Sequence, residues 1–399
     1  MTVTSYIGEQ LKIRRKILGY TQIQLSHLTG LDRTYIANVE AGKRNITIVN
    51  LEKMLISLEI DFPTFFLSIK ERRIKMKQYT LGTLKASEQL INDLYINLRN
   101  EVNAWSELTL QTPQARMGYV GQHLVSVVTG FPGGKSGARG YDLVMNNGKY
   151  GEIKTCYRVD QLGACGKCNA VVSSLEKKCS MCGSTNIIRK DDSKWLIGIQ
   201  HDQEFSEVLD PYRYYFVLFE FEEINNPQNN NILATIWEVD PTVKGFGYCM
   251  MDYYVNIRAK SKSKAPFNMW PHQFKFALTQ PELIYQSLIK EDGTINTRIF
   301  PTMNNKYPDV LKPLMEYSQA TTITLDAAKK VLLKFNPNAN TSGKSKKNIL
   351  EMIEALRISN GITNKDLCDA FADAIYLPLL LPKKNQLPAH LTQHYSELQ

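Results

Sequence analysis

No apolar run in this 399-residue chain approaches the roughly 20 residues that a bilayer-spanning helix needs. The densest, residues 375–381, is interrupted by Pro378. The opening residues, Met-Thr-Val-Thr-Ser-Tyr, lack the charge, apolar stretch and cleavage site of a secretory leader. These absences set aside membrane and secreted classes and predict a cytoplasmic protein. Internal repeats and extended low-complexity segments are also missing. So is a phosphate-binding loop: Thr129 stands where the first glycine before Gly134-Lys135-Ser136 is required, and Asn338 does so before Gly343-Lys344-Ser345. ATP hydrolysis is therefore not supported.

Acidic residues are in short supply, with 39 Asp plus Glu against 48 Lys plus Arg, a formal charge of +9. That excess suits a polyanionic partner, since Lys and Arg neutralise phosphates and release counterions. Cysteines number only seven, four of them within residues 165–182 and Cys156, Cys249 and Cys368 apart. An odd count without a leader fits a reducing compartment and a metal-binding cluster in place of disulfides.

At roughly 150 residues per domain, the length predicts two or three domains. Residues 1–70 read as an all-helical unit. Ile7, Leu11 and Leu18 recur near helical spacing before Gly19, and Thr21 suits the cap of a second helix that Gly30 ends. Asp32 or its neighbour opens a third, and a fourth covers about 49–58. Residues 71–85 carry a basic run, the mark of a linker or connecting helix. Residues 86–298 alternate helices (87–108, 117–128) with strands (141–145, 149–157, 195–200, 214–221, 232–239). Residues 299–399 read as a helical C-terminal domain.

Within the first unit, Leu25, Leu31, Ile36 and Val39 are spaced to lock two helices at a steep angle. Gln22, Arg33, Thr34, Tyr35 and Asn38 are then left to project outward. A recognition helix places its N-terminal side chains on base edges in the major groove. Lys43 and Arg44, just after it, suit phosphate contact. The segment from Thr21 to Asn45 resembles the XRE family of lambda-repressor-like helix-turn-helix domains. An interaction domain of the same fold with no DNA role is the alternative.

Cys165-Gly-Lys-Cys168 and Cys179-Ser-Met-Cys182 are two Cys-x2-Cys knuckles. Four thiolates from two tight turns close a tetrahedral site around Zn²⁺ with no open position, which makes it structural. This inserted ribbon, residues 163–185, either touches DNA through Lys167, Lys177 and Lys178 or staples a segment too small to hold a core.

The chemistry concentrates in the stretch from Arg139 to Lys154. Alternate side chains of a strand share a face, so Glu152 and Lys154 point the same way. A turn at Asn146-Asn147-Gly148 returns the preceding strand and brings Asp142 to the same edge. Two carboxylates so placed suit Mg²⁺, a hard cation that prefers oxygen. A lysine beside them suits orienting the attacking water and offsetting charge on phosphate.

The arrangement resembles the PD-(D/E)XK nuclease superfamily, which includes most type II restriction endonucleases. The resemblance implies Asp142 and Glu152 as the metal carboxylates and Lys154 as the lysine. Tyr141 stands where the family has proline. Gln122 stands where related enzymes often place a glutamate on the preceding helix, and would be a neutral ligand or an outer group. Glu176-Lys-Lys178 and Asp192-Ser-Lys194 offer rival triplets, the first confined by the cysteine turns and the second lacking a turn-linked carboxylate upstream.

Two further basic stretches suit a phosphate backbone: Lys135 and Arg139 ahead of the candidate strand, and Arg258, Lys260, Lys262 and Lys264, whose charges share one side if extended. A solvated hairpin reads equally well for the second. The expected architecture is thus multidomain: an all-α helix-turn-helix domain, an α/β PD-(D/E)XK core with an inserted four-cysteine zinc ribbon, and a mostly helical C-terminal region. The resemblances imply a site-specific deoxyribonuclease that cuts double-stranded DNA with Mg²⁺, acts as a homodimer and accompanies a cognate DNA methyltransferase. The helix-turn-helix reads either the target or its own promoter. A transcription regulator with an inert nuclease-like domain, and a nuclease for modified or damaged DNA, remain as alternatives.

Overall fold

A computed structural model describes residues 3–62, 65, 79–100, 118–134, 142–159, 161–174, 176–190, 192, 194–262, 265–269, 273–303 and 314–399. The chain divides into two compact units, Met1–Thr80 and Leu81–Gln399. Among the described residues the first shows α1 (Val3–Ile17), α2 (Gln22–Thr29), α3 (Arg33–Glu40) and α4 (Ile48–Ser57). Thr21 opens α2 with a reciprocal capping box, its side chain accepting from the Gln24 N–H while the Gln24 side chain accepts from its own. Asp32 caps α3 and Thr47 caps α4 in the same acceptor role. Leu11, Leu25, Ile36, Val39, Leu51, Met54 and Leu55 close the core, with Leu31 partly buried against it.

The second unit begins with α5 (Leu84–Leu90), which continues as a π-helical turn (Ile91–Ile96), and α6 (Gly118–Thr129). Then come β1 (Leu143–Val144), a 3-10 turn (Asn146–Gly148) and β2 (Tyr150–Tyr157). The cysteine segment contributes β3 (Gly163–Cys165), β4 (Val171–Val172) and β5 (Ile187–Ile188). After it follow β6 (Leu196–Ile197), α7 (Asp202–Val208), β7 (Arg213–Phe221), β8 (Ile232–Val239) and α8 (Lys244–Asp252). Next are β9 (Phe267–Asn268), α9 (Gln273–Leu278), β10 (Glu282–Ile289) and β11 (Ile295–Ile299). The chain ends in α10 (Leu325–Phe335), α11 (Lys346–Asn360), α12 (Asn364–Leu380) and short helical turns.

Six strands form one sheet in the order β1-β2-β7-β8-β10-β11. Only β2 and β7 run parallel; the other neighbours are antiparallel. Along β7, Tyr215, Val217, Phe219 and Phe221 join one apolar cluster while Tyr214, Phe216 and Leu218 join another. That period-two split means both faces are covered, which is why β7 reads as a near-continuous apolar run. On one face Leu124, Val125 and Val128 of α6 pack; on the other, residues of α8 and α9.

The expected helical C-terminal region is present, and it shares the sheet's core. Val331, Leu332, Leu367 and Phe371 lie in the same cluster as Trp195 and Phe216. Strand β6 is shorter than residues 195–200 suggest and, among the described residues, pairs with β9. Helix α8 and strands β10 and β11 have no counterpart in the sequence expectation. Among the described residues no helix is long and apolar enough to cross a membrane.

Candidate active site and DNA-binding elements

Strands β1 and β2 pair Leu143 with Gly151 and Val144 with Tyr150. One step further in that register sets Asp142 beside Glu152. Asp142 Oδ2 accepts from the Ile153 backbone N–H at 2.9 Å, and its Oδ1 accepts from Gln122 Nε2 at 3.0 Å. Lys154 Nζ donates to Glu152 Oε1 at 2.6 Å. The four residues singled out from sequence are thus brought together, from α6, the residue before β1, and β2. Gln122 reaches the cluster because α6 rides close on β2. Gly121 permits this, since a Cβ there would lie 2.2 Å from Thr155 Oγ1.

Burial lifts the Glu152 carboxyl above its ordinary value of 4.5; the Lys154 ammonium pulls it back in part, and the Asp142 charge pushes it up again. Beside it, the parallel partner Tyr214 is buried, with its hydroxyl committed to the Val208 carbonyl at 2.7 Å. Two neighbouring carboxylates, one held at an electrostatic cost, form an oxygen donor set short of positive charge. A hard divalent cation fits such a set.

The four sulfurs of Cys165, Cys168, Cys179 and Cys182 lie within 4.8 Å of one another. Cys165 and Cys182 are 3.6 Å apart, Cys168 and Cys179 3.7 Å. Tetrahedral Zn–S bonds of about 2.3 Å place sulfurs ~3.8 Å apart, so the set fits that metal. Backbone N–H groups of Cys168 and Lys167 lower the Cys165 thiol to about 6, while the neighbouring sulfurs, Cys182 foremost, push the Cys168 thiol up to about 12. Arg189 moors the segment: its guanidinium donates to the carbonyls of Glu223, Asn226, Asn229 and Pro227 and lies 3.6 Å over the Phe221 ring. Lys177 is engaged by Glu291 at 2.7 Å, while Lys178 is exposed. The remaining three cysteines, Cys156, Cys249 and Cys368, are buried.

In the first unit, Arg33, Thr34, Lys43 and Arg44 are exposed and Asn38 is half-buried. The Arg44 guanidinium lies 4.7 Å over the Tyr35 ring, and the Tyr35 hydroxyl accepts from Asn50 at 3.1 Å. Gln22 does not project freely as the sequence suggests: its amide donates to Glu40 at 2.9 Å. Glu40 also takes two bonds from Arg15, at 2.6 and 2.8 Å, in a buried pair. Sequence reasoning missed this network because its partners sit 18 and 25 positions apart with no periodic mark.

Arg258 and Lys260 differ from expectation as well. They lie in a 3-10 turn (Arg258–Lys260), not an extended run, because the helix of α8 carries on through a π turn (Tyr253–Ile257) into them. Arg258 is partly buried and donates to the Ser261 carbonyl; Lys260 and Lys262 are exposed. Lys135, Arg139, Tyr141 and Lys264 fall outside the described residues.

A family model described as MamI restriction endonuclease matches residues 104–315, more than half of the chain. A second, described as Helix-turn-helix, matches residues 11–65. The chain is 37% identical over 65 residues to Control protein C.MunI of Mycoplasma sp, which spans 16% of this chain and 88% of that protein. It is 33% identical over 63 residues to Control protein C.SmaI of Serratia marcescens, 16% of this chain and 75% of that one. The chain belongs to the MamI restriction endonuclease family and carries a DNA-binding helix-turn-helix domain in addition.

Proposed function

We propose that this restriction endonuclease is a type II, site-specific enzyme of PD-(D/E)XK architecture that hydrolyses duplex DNA at Asp142, Glu152 and Lys154, in the cytoplasm. The observation that carries this reading is the meeting of those three side chains at the β1–β2 edge. Asp142 and Glu152 would hold Mg²⁺, with Gln122 steadying Asp142 through its amide. When bound, the cation polarises the phosphodiester and acidifies the attacking water. Lys154, as an ammonium, orients that water and balances the charge gathering on phosphorus. Water attacks phosphorus, the bond to the 3′ oxygen breaks, and the ends carry 5′-phosphate and 3′-hydroxyl. The four cysteines would hold Zn²⁺ as a structural staple.

Cutting both strands of a palindrome calls for two such sites, hence a homodimer, and a cognate methyltransferase would protect host DNA. Residues 1–70 would read DNA through Arg33, Thr34, Tyr35 and Asn38, with Lys43 and Arg44 on phosphates. The likeness to proteins named control proteins supports a second reading of that domain, as a binder of its own promoter. Footprinting the protein on its upstream DNA and on its cleavage site separates the two; protection of neither overturns both. For the enzyme, incubation of unmethylated plasmid with Mg²⁺ is expected to give discrete fragments, and Lys154→Ala none. A wild-type protein that binds DNA but leaves it uncut overturns the catalytic reading and favours a regulator.

A further inference from the structure

Strand β2 pairs with β7 from Gly151 to Tyr157, but its ladder with β1 stops at Gly151. Past that point, Thr155 and Tyr157 of β2 line a cavity of about 440 Å³ that opens to solvent. Its facing wall is Lys190, Asp192 and Lys194, from the chain that leaves the cysteine segment. Two links fix that wall to the core. The Gln161 side chain bonds reciprocally with the Asp192 backbone, its Oε1 accepting the N–H at 3.0 Å. Cys156 Sγ accepts the Lys194 N–H at 3.1 Å. With the backbone held, the side chains of Lys190 and Lys194 are exposed and make no ion pair among the described residues. Among the described lining residues, the two ammonium groups stand with one carboxylate, Asp192.

The cavity begins one residue beyond Lys154. At about 3.3 Å per residue, its β2 residues lie roughly 3 to 10 Å along the strand from the lysine, Cys156 on the lysine's face of the sheet and Thr155 and Tyr157 on the other. Phosphates of one DNA strand recur about every 3.4 Å of helix axis, so those flanking a phosphodiester held at Lys154 fall at this depth. We propose that the cavity seats the backbone of the cleaved DNA strand beside the reacting phosphodiester, with Lys190 and Lys194 as positioning residues. The inference rests on the nuclease reading above. It gives the segment after the cysteine cluster a purpose: a metal-stapled ribbon fixes where that lysine wall stands.

The test uses the full-length chain with a labelled duplex carrying the mapped cleavage site, or a plasmid fragment where no site is found. Affinity is read by anisotropy without Mg²⁺ across a salt series, and kcat and KM by cleavage. Lys190→Ala/Lys194→Ala is expected to flatten the plot of log affinity against log salt by about 2, close to 0.9 per lost phosphate contact. KM should rise several-fold while kcat at saturating DNA stays within about twofold, since the catalytic groups are untouched. Asp192→Asn should tighten binding, and arginine at both lysine positions should restore it. An unchanged salt slope overturns the proposal, as does a loss that tracks a lowered melting temperature and is not rescued by arginine. If the wild-type chain never cuts but the slope still flattens, the nuclease reading fails while the anion-binding wall stands.

Discussion

Lys154 and Glu152 sit 2.6 Å apart with side chains only 24% and 18% exposed, so neither is a casual surface charge. If Lys154 organises the reaction, Lys154→Ala should lower the cleavage rate by about 10²–10⁴-fold, with melting temperature and DNA affinity nearly unchanged. Glu152 makes a second, pH-dependent expectation. Its folded-state pKa is raised, mainly by burial, so its ionisation costs stability. The contribution is fully present below the ordinary value of 4.5 and is lost as pH rises through the raised one. Metal-free Glu152→Gln should therefore melt higher than wild type at pH 8, with the gap closing as pH falls toward that ordinary value. A gap that widens on acidification contradicts the assignment.

At the scale of elements, the site depends on how closely α6 approaches β2. Gly121→Ala places a methyl 2.2 Å from Thr155 Oγ1, and should cost about 1–3 kcal/mol by overpacking while shifting Gln122 away from Asp142. The measurable result is a lower melting temperature together with reduced cleavage. The cysteine segment offers a cleaner test. Among the described residues its buried apolar side chains are few, Val172 and Ile187 beside Cys165 and Cys179, so on the proposed reading a bound metal would carry the burden of its fold. Strong chelation, or Cys182→Ser, should release bound zinc and lower the melting temperature; a protein purified without zinc and melting unchanged would contradict the structural role.

These elements also mark what the sequence could and could not disclose. The 3-10 turn at Asn146–Gly148, the alternation through Ile153 and the two cysteine knuckles are local patterns, and local patterns read directly. Helix α8 escaped notice because Gly245 and Gly247 argue against a helix. They are there because α9 and Tyr395 press within 2 Å of where a Cβ would be. The inward turn of Gln22 and the sharing of one core by Phe216 and Phe371 depend on contacts distant in the chain, to which periodicity is blind.

For the whole molecule, the division at Thr80 predicts that residues 1–80 fold alone. That fragment should give a helical circular-dichroism spectrum and bind DNA without cutting it. Arg33→Ala or Asn38→Ala in the full chain should weaken binding at one sequence by about 1–3 kcal/mol and leave the catalytic groups intact. The central claim remains that two carboxylates and a lysine at one sheet edge cut DNA. Its most direct measurement is Mg²⁺-dependent digestion of unmethylated DNA, with end sequencing, by the wild type and by Asp142→Ala, Glu152→Ala and Lys154→Ala. The account predicts discrete fragments with 5′-phosphate ends from the wild type and intact DNA from all three variants. Fragments of equal yield from any of the variants would contradict it.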